Sequence, residues 1–192
     1  MASRRAGTGG WTWATIVVTA VTLAAVALRF GLSPVLPAFC YLAAAGVPLA
    51  FIDARQRRLP DVLTLPFYPA CLLLLAVAAP FLPGGSGRFG HALIGMAAAV
   101  AFFGLLLLVS PAGIGLGDVK LAGPLGAYLG WLGAAAFVTG LLAAWLLAAV
   151  TAIGLLLARR ATRKTEIPFG PFLVAGTVGV VLASGFVSAL AH

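Results

Sequence analysis

Long apolar runs separated by short polar breaks follow one another along the whole chain. Each run is close to the roughly 20 residues that a helix needs to cross a hydrocarbon core of about 30 Å. The runs do not alternate apolar with polar residues, as strands of a membrane barrel do, so they predict helices. We therefore predict an all-α, polytopic membrane bundle of about six or seven transmembrane helices, with spans near 11–30, 35–53, 62–82, 90–110, 119–134, 137–158 and 169–190.

The fifth predicted span is the least regular of the seven. Pro124 and several glycines interrupt it, and a proline inside a helix removes a backbone hydrogen bond and favours a kink. We expect this span to be tilted, kinked or partly re-entrant. No polar break is long enough to be a domain linker, so residues 1–192 are expected to form a single membrane domain.

Composition agrees with the hydropathy pattern. Hydrophobic residues make up 62% of the chain and charged residues 8%, whereas charged residues are about a quarter of an ordinary soluble domain. The first apolar run, which follows Arg4 and Arg5, also resembles a secretory signal peptide. We expect it to be retained, because the run continues past the small residues where cleavage would fall.

The net charge of +8 is distributed asymmetrically. Arg29 and Arg88 alone fall on one side of the predicted membrane. The other cations precede the first span or lie in the 54–61 loop, the segment after the fourth span and the 159–167 loop. The positive-inside rule places these segments and the N-terminus in the cytoplasm. The basic loops are therefore interpreted as topology determinants that contact anionic lipid, and no nucleic-acid partner is expected.

The cysteines and histidines do not indicate a metal or cofactor site. Cys40 and Cys71 are isolated within apolar stretches, and neither belongs to a CxxC pair. His91 and His192 lack the ligand neighbours that a metal centre needs. We expect no metal and no cofactor.

The chain has only four acidic residues, and three of them lie in two short motifs. Asp53 and Asp61 belong to FIDARQRRLPDVLTLP, and Asp118 belongs to GIGLGDVKLAG. Ionisable side chains close to hydrocarbon are costly, so they indicate a functional site by default. The predicted topology puts all three on the cytoplasmic face, with Asp53 and Asp118 at the ends of their spans.

Two aspartates within reach of one another in a site of low dielectric share a proton. Such a pair can activate water, because one carboxylate takes a proton while its protonated partner polarises a peptide carbonyl. We predict that Asp53 and Asp118 form this pair. Gly115 and Gly117 are expected to permit unusual backbone angles and the close approach of an extended peptide.

These motifs resemble those of the type IV prepilin peptidases. The resemblance rests on the GxGD tetrapeptide ending at Asp118, on Asp53 with the RLPD segment ending at Asp61, and on the IPFGPF stretch that contains Pro168, Phe169 and Gly170. It covers roughly residues 35–190, the expected peptidase core. Three motifs in order on one predicted membrane face are far more specific than a lone GxGD.

The resemblance implies the fold of a GxGD-type intramembrane aspartic protease, with Asp53 and Asp118 as catalytic residues. It also implies cleavage of the short basic leader from prepilin-like membrane proteins at the cytoplasmic face of a bacterial membrane. Bifunctional members carry an N-terminal methyltransferase region with a CxxC loop, which is not expected here. The chain is similar to short peptidase-only forms that serve tight-adherence (Flp) pili or, alternatively, to archaeal preflagellin peptidases.

Three other charged residues have alternative interpretations. Asp61 is expected to be the N-cap of the helix that follows Pro60. Lys120 either acts electrostatically on Asp118 or extends to the membrane interface as a long amphipathic side chain. Glu166 is interpreted as a solvated loop residue, with a position near the site as the alternative, because it directly precedes the IPFGPF stretch.

Two further function classes remain open at this point. In a small transporter or channel component, Asp53 and Asp118 would carry protons or cations beside the interrupted fifth helix. A catalytically inactive factor for pilus assembly is the other alternative. Carboxylates that face one another near the cytoplasmic surface would favour the protease.

Overall fold

The computed structural model describes residues 3–56, 59–109, 115–159 and 168–190, and the side chains of residues 10–184 within them. These residues form seven α-helices and one 3-10 turn, Ala79–Phe81. The helices are α1 (Ser3–Phe30), α2 (Leu36–Gln56), α3 (Asp61–Ala78), α4 (Gly85–Val109), α5 (Leu116–Leu132), α6 (Ala134–Leu157) and α7 (Gly170–Leu190). The predicted all-helical class is confirmed, and each helix overlaps one predicted span.

The described helices include five that are long and apolar enough to cross a membrane. These are Gly10–Phe30, Leu36–Gln56, Asp61–Phe81, Gly85–Val109 and Ala134–Leu157. The protein is therefore a multi-pass membrane protein. α5 is shorter, with 17 residues, which correspond to about 26 Å of helix.

α5 is the central helix of the bundle. Every residue from Leu121 to Trp131 is buried, and α5 contacts α3, α4, α6 and α7. A helix that is apolar on all sides belongs in the interior. α5 is continuous from Leu116 to Leu132, with Pro124 buried inside it, and the expected tilt, kink or re-entrant path stays a prediction.

Glycines allow α4 and α5 to pack at very short range. A Cβ atom on Gly126 would lie 2.6 Å from the Cβ of Ala99, and one on Gly130 would lie 3.1 Å from the Cα of Gly95. Small residues permit such approach between membrane helices, where apolar lipid supplies little driving force for association. This packing fixes the position of α5. It thereby fixes the position of Asp118, the last residue of the GxGD motif, in the first turn of that helix.

One end of the bundle collects several helix termini. α2 ends there, while α3, α5 and α7 begin there, as the contacts between their terminal residues show. The N-terminus of a helix carries a partial positive charge and unpaired N–H groups. This end of the bundle therefore suits the acidic side chains that the sequence places at these termini.

Candidate active site

Asp53 lies in the last turn of α2 and is almost entirely buried, with 6% of its surface exposed. Its Oδ2 accepts a hydrogen bond from the backbone N–H of Gly170 over 3.1 Å. Gly170 is the first residue of α7, so its N–H has no partner within that helix. The start of α7 thus supplies a donor to the carboxylate at the end of α2.

Asp118 lies in the first turn of α5 and has 8% of its surface exposed. Its Oδ2 accepts a hydrogen bond from the N–H of Gly115, the N-cap residue, over 3.2 Å. This is the contact that an acidic residue at the third helical position makes with an N-cap amide. The helix dipole also favours a negative charge at this position.

The fold brings the two aspartates into one site although 65 positions separate them in the sequence. Their carboxyl groups are close enough to interact electrostatically, and the Gly170 amide donates its hydrogen bond to Asp53. Both groups are buried at the end of the bundle rather than midway along their helices. Two acidic groups in such a setting can divide the roles of proton acceptor and proton donor.

Gly170 leaves no space for a side chain. A Cβ atom at this position would lie 2.6 Å from Oδ2 of Asp53 and 3.1 Å from its Cγ. Real Cβ atoms do not approach other atoms at 2.6 Å. The absence of a side chain at Gly170 therefore allows its amide to reach the carboxylate.

Phe169 anchors the start of α7. Its ring centroid lies 5.1 Å from that of Trp145 on α6 and 5.8 Å from that of Phe103 on α4. Pairs of aromatic rings at such distances contribute beyond simple area burial. Phe169 thus fixes the position of the neighbouring Gly170, and Pro168 is half-buried beside it.

The two glycines of the GxGD motif differ from expectation. Neither has a positive φ, and Gly115 is extended with φ −83°, so unusual backbone angles are not found. At Gly117 a Cβ atom would lie 3.2 Å from the Cβ and Cδ1 of Leu59, so a side chain of the same protein packs there, and the approach of an extended peptide stays a prediction. Leu59 was not singled out from the sequence. The only feature that distinguishes it in the sequence is that it is a leucine among charged residues.

Asp61 and Lys120 form an ion pair across the two motifs. The distance from Nζ of Lys120 to Oδ1 of Asp61 is 2.7 Å. Asp61 is the first residue of α3, whose N-cap is Pro60 without a side-chain hydrogen bond, so the N-cap interpretation is wrong. Lys120 contacts Asp61 rather than Asp118. The pair joins the first residue of α3 to the fifth residue of α5.

The described residues contain no group of three or more histidine, cysteine, aspartate or glutamate side chains that could hold a metal ion. Glu166, which we interpreted as a solvated loop residue, lies outside the described residues. The same holds for Arg57 and Arg58 in the 54–61 loop.

Comparison with known proteins gives the site a context. Residues 38–158 match the model of the Type IV leader peptidase family. This range includes Asp53 and Asp118 but not Gly170. No solved structure matches the chain closely.

Three relatives illustrate the similarity. The chain is 38% identical over 141 residues to a prepilin leader peptidase/N-methyltransferase of Aeromonas salmonicida, covering 70% of this chain and 45% of that protein. It is 39% identical over 164 residues to the Burkholderia pseudomallei protein of the same name, covering 80% and 49%. It is 34% identical over 141 residues to leader peptidase HopD of Escherichia coli, covering 73% and 88%. The chain thus spans about half the length of the first two relatives.

Proposed function

Because the chain belongs to the Type IV leader peptidase family, we propose that it is an aspartic endopeptidase that removes the short basic leader from prepilin-like membrane proteins. The observation that carries this proposal is that Asp53 and Asp118 are both buried at one end of the bundle, where their carboxyl groups interact. Both carboxylates are buried, yet both lie at helix termini, where a substrate backbone can reach them.

The proposed reaction is hydrolysis of a peptide bond by activated water. One carboxylate of the pair takes a proton from water as the water oxygen bonds to the peptide carbonyl carbon. The other, protonated, donates its proton to the carbonyl oxygen. The carbon–nitrogen bond of the tetrahedral intermediate then breaks as a proton passes to the leaving amine. The N–H groups of Gly170 and Gly115 hold the two carboxylates in place during these steps.

The proposed site faces the cytoplasm of a bacterial cell. Most basic residues of the sequence lie near the N-terminus, at 55–58 just after Asp53, and at 159–164 after α6, and the positive-inside rule assigns these segments to the cytoplasm. Prepilin-like precursors with basic leaders, including those of Flp pili, are the proposed substrates. We propose that residues 35–190 act as the peptidase core of one membrane domain.

The position of the pair also bears on the transporter alternative. Intramembrane transporters place their ion-binding groups near the bilayer midplane. Asp53 instead lies three residues before the end of α2, and Asp118 two residues after the start of α5. This placement supports hydrolysis at the membrane surface over ion transport through the bundle.

Coexpression with a prepilin-like precursor from the same genome tests the proposal. The change in gel mobility that accompanies leader loss is followed for the wild type, Asp53→Ala and Asp118→Ala. Processing by the wild type and its loss in both variants is the expected result. Full processing by either variant would contradict the assignment of the pair. An Asn substitution at Asp61, which lies on the same end of the bundle, is the control and should retain processing.

A further inference from the structure

An apolar groove runs between α1, α2 and α7 beside the candidate active site. Its volume is about 330 Å³. That volume is within the range of about 300–1,000 Å³ that is typical of ligand-binding pockets. The groove is separate from the two carboxylates, but it ends next to one of them.

The α2 wall consists of one face of that helix. The lining residues recur at the spacing of a helical ridge: Val47, Ala50, Phe51 and Ala54. Ala54 directly follows Asp53 in the sequence. The groove therefore extends along α2 for about two turns and ends at the aspartate.

The α7 wall repeats this arrangement. Its lining residues have the same spacing: Pro171, Val174, Ala175 and Val178. Pro171 directly follows Gly170, the donor to Asp53. The two walls meet at the floor, where a Cβ atom on Gly46 would lie 3.6 Å from Cγ1 of Val174. Both walls therefore end beside the hydrogen bond between Gly170 and Asp53 in the candidate site.

α1 forms the third wall. Only 6% of an 18-residue stretch within its membrane span is buried. Its lining residue Thr22 donates its hydroxyl to the carbonyl of Val18 over 2.8 Å. Near the aspartate, Trp11 packs edge-on against Phe51 with ring centroids 6.3 Å apart.

We propose that this groove binds the apolar helical segment of the membrane-bound substrate, and that the segment thereby delivers the adjoining peptide bond to Asp53 and Asp118. The inference rests on the proposed function. Two helical ridges with parallel spacing form a surface on which a third helix can pack. This surface continues up to the carboxylates. That continuity favours a substrate segment over a lipid chain as the occupant, because only a substrate must contact the groove and the carboxylates at the same time.

Filling the groove tests the proposal. Ala175→Trp places an indole in the groove, while Ala149→Trp places one on an exposed face of α6 that does not line it. We expect Ala175→Trp to lower the rate of precursor processing by about tenfold or more, mainly through a higher KM. Ala149→Trp should process like the wild type. Immunoblots of membranes verify that both variants accumulate equally.

Photo-crosslinking supplies an independent measurement. A benzophenone amino acid is introduced at Ala175 or at Ala149, and each protein is coexpressed with an epitope-tagged precursor. The expected result is a tagged adduct from position 175 and none from position 149. Adducts at 175 that contain only lipid, or only a second copy of this chain, would overturn the proposal.

The outcomes separate this inference from the proposed function. A wild-type protein that leaves the precursor intact contradicts the proposed peptidase activity. Normal processing by the wild type together with equal processing by Ala175→Trp and Ala149→Trp contradicts only the role of the groove.

Discussion

The backbone amide of Gly170 donates a hydrogen bond to Oδ2 of Asp53, and the missing side chain of Gly170 makes this contact possible. The bond joins the start of α7 to the end of α2. Since the carboxyl group of Asp53 interacts with that of Asp118, the position of α7 bears on the geometry of the pair. Phe169 fixes that position through its ring contacts with α4 and α6.

Replacing Gly170 tests this relationship. In Gly170→Ala the new Cβ would lie 2.6 Å from Oδ2 of Asp53, so the carboxylate must move. A displacement of about 1 Å at a catalytic group costs up to about 100-fold in rate, and we expect a loss of about 10- to 100-fold in leader processing. Gly179→Ala on the same helix is the matched control, because a Cβ there meets no atom within 4 Å. Equal activity of the two variants would refute the role of Gly170.

The two glycines of the GxGD motif should respond differently to alanine. At Gly117 a Cβ would lie 3.2 Å from Leu59, whereas at Gly115 the nearest atom, Oδ2 of Asp118, would be 3.7 Å away. We therefore expect Gly117→Ala to reduce processing more than Gly115→Ala does. Rates for both variants at equal protein levels provide the measurement, and the reverse order would count against this packing.

The ion pair between Asp61 and Lys120 should contribute little. Its side chains are 57% and 35% exposed, and exposed pairs contribute about 0–1 kcal/mol to stability. A double-mutant cycle with Asp61→Ala and Lys120→Ala, followed by thermal unfolding in detergent, should give a coupling energy below about 1 kcal/mol. A coupling energy several times larger would assign the pair a structural role that its exposure does not predict.

Packing between α4 and α5 should be sensitive to a single methyl group. A Cβ on Gly126 would lie 2.6 Å from the Cβ of Ala99, so Gly126→Ala requires the helices to separate. Overpacking of this kind typically costs about 1–3 kcal/mol, which we expect to appear as a lower unfolding temperature in detergent. Gly104→Ala on α4 is the control, since a Cβ there has open space. Unchanged stability of Gly126→Ala would show that the interface is looser than described.

The helices were predictable because apolar runs of membrane length leave few other structures for the backbone. Asp53 and Asp118 could be singled out as candidates because carboxylates are rare in such a chain. Contacts between residues of different helices were harder to predict from the sequence. The sequence contained Gly170, but hydropathy and spacing do not reveal that its amide reaches Asp53. In the same way, Lys120 was compared with Asp118, its neighbour in sequence, and not with Asp61, its neighbour in space.

The continuity of α5 depends on packing that the sequence does not reveal. Proline and glycine lower the helix propensity of an isolated segment, so Pro124 favoured a tilted, kinked or re-entrant path. In the bundle, Gly126 and Gly130 face α4 at short range and Pro124 is buried. Tertiary packing therefore stabilises a helix that local propensity alone disfavours.

The central claim is that Asp53 and Asp118 act as one catalytic unit, and purified protein tests it most directly. The rate of leader removal is measured for the wild type, Asp53→Asn, Asp118→Asn and the double variant. Members of one catalytic unit are strongly non-additive, so each single variant should lose at least about 1,000-fold and the double variant should be no slower than either. Near-normal cleavage by one single variant, or losses that multiply in the double variant, would contradict the claim.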